Sequence, residues 1–183
     1  MPRLAQTYRR QLHERAFDQY GYVTTHDAVE LGIPPVEVRK IAARGGMTHV
    51  ARGLYRFDDI PHTGRERFME AVLRAGEGAM LTGDAVLSLH DLALVNPRKL
   101  RVAIPRQVRT NLPPTIEARK RHVAPEDRAV FEGIPTTTVA RALLDARGLV
   151  MRERLIEAAE EAARRGLLLR REGEQVIREL EEA

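Results

Sequence analysis

The sequence predicts an α+β chain in two parts: a small helical module that ends in a hairpin, followed by a mixed α/β domain with a small sheet and closing helices. Three observations lead there. Apolar residues recur at helical spacing in several stretches, short runs between them alternate at a period of two, and glycines and prolines punctuate the chain. Asp58-Asp59-Ile60-Pro61 reads as a linker, which divides the chain into expected domains 1–60 and 61–183.

The first helix is expected from about Ala5 to Gln19. Leu4, Tyr8, Leu12 and Ala16 recur every four residues, Phe17 and Tyr20 widen the stripe, and Gly21 supplies a left-handed stop. A second, short helix follows, capped by Thr24 or Thr25, with Asp27 at its positive end and Gly32 closing it. Pro34-Pro35 then opens a third helix, about Pro35 to Arg44, because proline at a first helical position gives up an N–H that would be unpaired anyway. Val38, Ile41 and Ala42 form its inner side, leaving Glu37, Arg39, Lys40, Ala43 and Arg44 outward. From Met47 to Phe57, two β-prone runs flank Ala51-Arg52-Gly53, where glycine permits the positive φ of a bulged hairpin.

Beyond the linker, Thr63 to Glu66 has capping-box spacing ahead of a helix carrying Phe68, Met69, Val72 and Leu73. Leu81-Thr82 is read as opening another helix through about His90, with Thr82 as cap and Asp84 as dipole partner. Lys99 to Ile104 alternates like a half-buried strand, Leu100, Val102 and Ile104 in and Lys99, Arg101 and Ala103 out. Pro105 and Pro113-Pro114 bound a loop. Ile116–Val123 and Ala129–Ile134 are read as further strands. Thr138 caps a short helix, and helices over 152–165 and 171–182 close the chain.

At 183 residues and 43% hydrophobic content, the chain can bury a core. It has no cysteine, which excludes disulfides, thiolate zinc sites and cysteine nucleophiles together. No apolar run approaches the roughly 18 residues of a membrane span, and no signal-like stretch follows Met1, so a cytoplasmic location is expected. The net charge of +4 is unevenly spread, +2 over residues 1–60, +5 over 61–123 and −3 over 124–183. That tilt favours polyanionic partners modestly, since nearly all the basic residues are arginine and such an excess also follows genome composition.

Helix, short helix, turn, helix and hairpin within the first 57 residues is the order of a winged helix-turn-helix. A helix fits the DNA major groove, and the third helix offers Arg39, Lys40 and Arg44 on its outward side. Arg52 at the hairpin tip suits the negative potential of a neighbouring minor groove. Double-stranded DNA is therefore the expected partner, against the plainer reading of a folding module or protein-docking surface. Glu37 on the same face opposes this mildly, although an acid can accept from cytosine. Aromatics crowd this region too, with Tyr8, Phe17, Tyr20, Tyr22, Tyr55 and Phe57 read as packing residues.

A second basic surface is expected from Arg98, Lys99, Arg101, Arg119, Lys120 and Arg121, with Arg106 and Arg109 between them and Glu117 as the one acid from 95 to 123. It suits a second DNA contact, a dock for an acidic protein or a solvated sheet face. Catalytic patterns fail to appear. The histidines are scattered without HExxH, and neither a Walker A loop nor GxSxG is present. Pro125-Glu126-Asp127 lacks a following Glu-x-Lys, and Thr82-Gly83-Asp84 lacks the Gly-Ser and paired acids of a nucleotidyltransferase. The expectation is a non-enzyme without metal or cofactor.

Several segments resemble the AbiEi-type antitoxins, regulators of bacterial type IV toxin–antitoxin pairs. Gly21-Tyr22-Val23-Thr24-Thr25-His26-Asp27-Ala28, Gly32-Ile33, Val38-Arg39, Arg44-Gly45 and the stretch Val50 to Phe57 are similar to the family's winged-helix domain. Leu81 to Leu92, with its Leu89-His90-Asp91-Leu92 ending, and Gly133 to Asp145 are similar to segments of its C-terminal half. The chain departs at Pro34, in place of a polar cap, and at Asp91, in place of glycine. The resemblance implies an antitoxin whose N-terminal domain represses its own operon through promoter DNA, contacted by Arg39, Lys40, Arg44 and Arg52. It implies a C-terminal domain that counters a nucleotidyltransferase-like toxin, with self-association allowed. A stand-alone winged-helix regulator with a dimerising or ligand-sensing C-terminal domain is the alternative, and an enzyme acting on nucleic acid is a more distant one.

Overall fold

The computed structural model describes residues 2–106 and 111–182, with side chains from Thr7 onward. Leu4 of the expected first stripe and Arg109 of the expected basic segment therefore lie outside what is described of side chains and chain respectively. The architecture is mixed α+β with two small sheets. It divides into two compact units, Met1–Arg74 and Ala75–Ala183.

The first unit opens with helix α1 (Pro2–Phe17), strand β1 (Tyr22–Thr24) and helices α2 (Thr25–Glu30) and α3 (Pro35–Ala43). Strands β2 (Met47–Ala51) and β3 (Leu54–Phe57) follow, and α4 (Glu66–Ala75) ends it. The sheet is antiparallel with β3 central, in the order β1-β3-β2. β1 registers as Tyr22↔Arg56 and Val23↔Tyr55, while β2 shifts register between His49 and Ala51, so the hairpin is bulged as expected.

Local chemistry explains the helix starts. Thr24 caps α2 with a reciprocal box: Asp27 N–H donates to Thr24 Oγ1 at 3.0 Å and Thr24 N–H donates to Asp27 Oδ2 at 2.7 Å. α3 starts on Pro35 without a side-chain cap. The core beneath them joins Leu12, Ala16, Val23, Ala28, Ile33, Val38, Ile41, Met47, Tyr55 and Phe57. Burying one such large side chain contributes about 1.5–3 kcal/mol, which is what holds short elements that would not persist alone. Phe17 is the exception to the expected aromatic core, at 68% exposed. It falls in the last turn of α1, just before the chain reverses through Tyr20 and Gly21 at positive φ.

The α4 helix is anchored to this unit by polar contacts. Tyr22 Oη donates to Glu70 at 2.7 Å, Glu70 accepts Arg74 Nε at 2.6 Å, and Arg74 Nη2 donates to Val50 O at 3.1 Å. Glu66 accepts the backbone N–H groups of Thr63 and Gly64 at the helix start.

The second unit carries β4 (Met80–Leu81), α5 (Asp84–Leu89), β5 (Leu100–Ile104), β6 (Ile116–Lys120), β7 (Arg128–Phe131), β8 (Ile134–Thr137), α6 (Val139–Asp145), α7 (Arg152–Arg164) and α8 (Arg170–Glu181). Its sheet runs β6-β5-β4-β8-β7 and is mixed, with β5/β6 and β4/β8 parallel and the other pairs antiparallel. α6, α7 and α8 pack on one another, and α5 packs on β5 and α6.

Four sequence expectations change here. The stretch read as one strand from Ala129 to Ile134 is the first arm of a hairpin, β7-β8, turning at Glu132-Gly133 with both residues at positive φ. Residues 80–81, half assigned to a helix, form β4. The cap of α5 is Gly83 without a side-chain hydrogen bond, because the Thr82 hydroxyl donates instead to Asp145 at 2.7 Å. β5 is not half exposed either: Ala103 is as buried as Val102, and Arg101 is drawn in against Asp84 at 2.5 Å.

Candidate nucleic-acid interface

The outer side of α3 is set by what its inner side must do. Val38 and Ile41 are buried in the core of the first unit. Upstream, Ile33 is buried and its N–H donates to Ala28 O at 2.7 Å, which fixes the turn between α2 and α3. Downstream, Gly45 and Gly46 at positive φ lead into β2, and Arg9 Nη1 reaches Gly45 O at 3.3 Å from α1. With both ends held, helical periodicity leaves Val36, Arg39, Lys40, Ala43 and Arg44 exposed.

The hairpin tip is tied down as closely. Gly53 takes φ +73, and its carbonyl accepts the N–H of Thr25, the first residue of α2, at 2.8 Å. A Cβ at residue 53 would stand 2.8 Å from Thr25 Oγ1, so only glycine allows the tip to approach the helix this closely. Arg52, beside it, is exposed.

The electrostatics sort the cations of this region into two groups. Arg9 serves Gly45 O and lies over the Phe57 ring at 5.2 Å. Arg10 faces Glu14, and Arg15 bridges Asp27 and Glu30 at 3.1 and 3.0 Å. Arg56 is buried and donates to Phe57 O and Ile60 O. Among the described residues, Arg39, Arg44 and Arg52 have no such partner. Lys40 lies between the groups, 2.7 Å from Glu37 Oε1. An exposed pair of that kind contributes only about 0–1 kcal/mol, so a phosphate can compete for the lysine. Glu37 thus acts on Lys40 more than on the face as a whole.

Tyr22 marks how firmly the sheet and α4 are coupled. Burial first, then the hydrogen bond to Glu70, push its phenol well above the ordinary value of 10.0.

The expected second basic surface is only partly assembled. Arg98, Lys99 and Lys120 are exposed. Arg101 instead pairs with Asp84 at 2.5 Å and lies 3.9 Å from Glu117. Arg119, although exposed, pairs with Glu117 at 2.5 Å. Arg121 grips Asp145 with two bonds at 2.6 and 2.9 Å. Arg141 holds the same carboxylate from one turn earlier on α6, at 2.8 Å through Nε. Burial works against ionisation of Asp145, yet Arg121, Arg141 and Thr82 outweigh it and hold the group below its ordinary value. These arginines close a structural network, and Arg101, Arg119 and Arg121 border a cavity of about 190 Å³ in the second unit.

Val36 was not singled out by sequence reasoning. It is a large aliphatic side chain 44% exposed in the first turn of α3, one turn from Arg39. An apolar residue exposed beside arginines on a helix face was the available signal. Among the described residues, no group of three or more His, Asp or Glu side chains is placed to hold a metal ion. None of the described helices is long and apolar enough to cross a membrane. The chain matches no family model, and no curated protein matches it.

Proposed function

We propose that this protein is a DNA-binding autorepressor of the antitoxin type, with its first unit working as a winged helix-turn-helix. The observation that carries this reading is the set of exposed arginines without internal partners, Arg39 and Arg44 on α3 and its end and Arg52 at the hairpin tip. The order α1, α2, α3, β2, β3, with β1 completing a three-stranded sheet, supports it.

In this mechanism α3 enters the major groove. Arg39 donates two N–H groups to a guanine edge, and Val36 touches a thymine methyl about one helical turn away. Arg44 and Lys40 neutralise phosphates, which sets register without reading sequence. Arg52 follows the hairpin into the adjacent minor groove. The second unit is the part directed at a nucleotidyltransferase-like toxin. That assignment rests on the resemblance of Leu81–Leu92 and Gly133–Asp145 to the antitoxin family.

A gel-shift titration of the full chain on DNA from upstream of its own reading frame tests the DNA half. Saturable binding is expected, weakened in K40A and R52A; unchanged binding in both variants overturns the assignment. Co-expression with an adjacent nucleotidyltransferase reading frame tests the other half, with growth rescue expected. The arginine-lined cavity of the second unit favours one rival, a stand-alone regulator that senses a ligand. Absence of any toxin gene beside this one selects that rival.

A further inference from the structure

The cavity beside β5 and β6 lies wholly within the second unit and has an unusual lining. Arg101, Arg119, Arg121 and Arg147 surround it together with Glu117 and Asp145. Four guanidiniums against two carboxylates give the wall a formal charge of +2. Neighbours in contact with these groups add one cation, Arg141, and two anions, Asp84 and Glu179, and the balance stays positive. Both lining carboxylates register that field. Glu117 is held below its ordinary value, first by the hydrogen bond from Arg119 and then by Arg101 and Lys99. Asp145 is held low against its own burial.

The guanidiniums are also held in place before any ligand arrives. Arg121 uses Nη1 and Nη2 on Asp145, and Arg119 uses Nε and Nη2 on Glu117, which leaves further N–H donors on each. A ligand meeting side chains already fixed by carboxylates loses less rotamer entropy on binding. The floor from β5, Val102 and Ala103, is buried and apolar and lowers the local dielectric.

We propose that this cavity binds the phosphate end of a small phosphorylated molecule, a phosphate monoester or phosphoanhydride. Such a group carries about −1.5 to −2 charges and three acceptor oxygens, matching the charge of the wall and its array of donors. A backbone phosphodiester carries a single charge and is flanked by sugars on both sides. It fits a concave site of this size less well. The proposal does not depend on the DNA reading, since none of its residues lies in the first unit.

Isothermal titration of the full chain with pyrophosphate, at constant ionic strength, is the direct test. Saturable binding at one site per chain is expected, and adenosine triphosphate should compete for it. The R119A/R147A variant removes two exposed rim cations and leaves the Arg121–Asp145–Arg141 network intact. It should bind pyrophosphate at least tenfold more weakly with a nearly unchanged melting midpoint. As an independent readout, arginine-specific dicarbonyl labelling read by mass spectrometry should show pyrophosphate protecting Arg119 and Arg147 but leaving Arg39 and Arg44 reactive. No saturable heat at low-millimolar pyrophosphate overturns the proposal, as does equal binding by the variant or uniform protection. A single-stranded oligonucleotide distinguishes the source of the phosphate: a 5′-phosphorylated strand that competes while its 5′-hydroxyl counterpart does not supports terminal recognition. Equal competition by both strands means the site reads a diester backbone, and the proposal fails.

Discussion

Replacing Asp145 with alanine should destabilise the second unit more than any other single carboxylate change. The side chain is 7% exposed and accepts two bonds from Arg121, two from Arg141 and one from Thr82. Its removal leaves two guanidiniums close together without their shared counter-ion. Breaking a buried ion pair from one side costs about 3–5 kcal/mol, and the partial exposure of both arginines places D145A near the lower figure, about 3 kcal/mol. For a domain of about 100 residues that lowers the melting midpoint by roughly 10–20 °C. D145N keeps the shape and one acceptor oxygen and should lose less. It should also change the pH dependence. The folded carboxylate titrates below the unfolded one, so its stabilisation is complete above the unfolded value and disappears as pH falls through the lower folded value. The wild type therefore has an acid limb below about pH 4 that D145N flattens. Circular dichroism melts from pH 7 down to pH 3 measure both effects. A D145A midpoint within a degree or two of wild type, or an acid limb unchanged in D145N, refutes the reasoning.

Three further outcomes follow from the first unit. G53A places a methyl against Thr25 Oγ1 and forces alanine to φ +73; it should destabilise the unit by about 1–2 kcal/mol and weaken DNA binding, both checked by denaturant titration and gel shift. Y22F removes the bond to Glu70 and should cost about 1 kcal/mol at neutral pH. Because the folded phenol titrates above the unfolded one, wild-type stability also falls as pH rises beyond about 10, and Y22F should lack that alkaline loss in melts at high pH. V36A should lose its preference for thymine over deoxyuridine at one operator position while R39A keeps it, read by fluorescence anisotropy on substituted duplexes.

Much of the first unit was legible in the sequence because its signals are local. The Thr24–Asp27 box, proline at the start of α3 and glycine at the hairpin tip each act within a few residues. Arg39, Arg44 and Arg52 were readable for the same reason, since burial of Val38 and Ile41 turns their neighbours outward. β1 was not legible: it has three residues, and its partner β3 lies about thirty positions later. β8 was concealed by Pro135, a residue that argues against an inner strand. It is tolerated because the pairing to the two-residue β4 engages Thr136 instead. The second basic surface was overread because charge alone does not show partners. Asp84 lies 17 positions from Arg101, and Asp145 lies 24 from Arg121. Only the folded chain brings those anions to the arginines.

Salt dependence of operator affinity tests the account most directly. If Lys40 and Arg44 neutralise phosphates, the slope of log affinity against log salt should become shallower by about 2 in K40A/R44A, roughly one per contact removed. An identical slope in wild type and variant, over a range where both bind, would show that these two cations meet no DNA backbone.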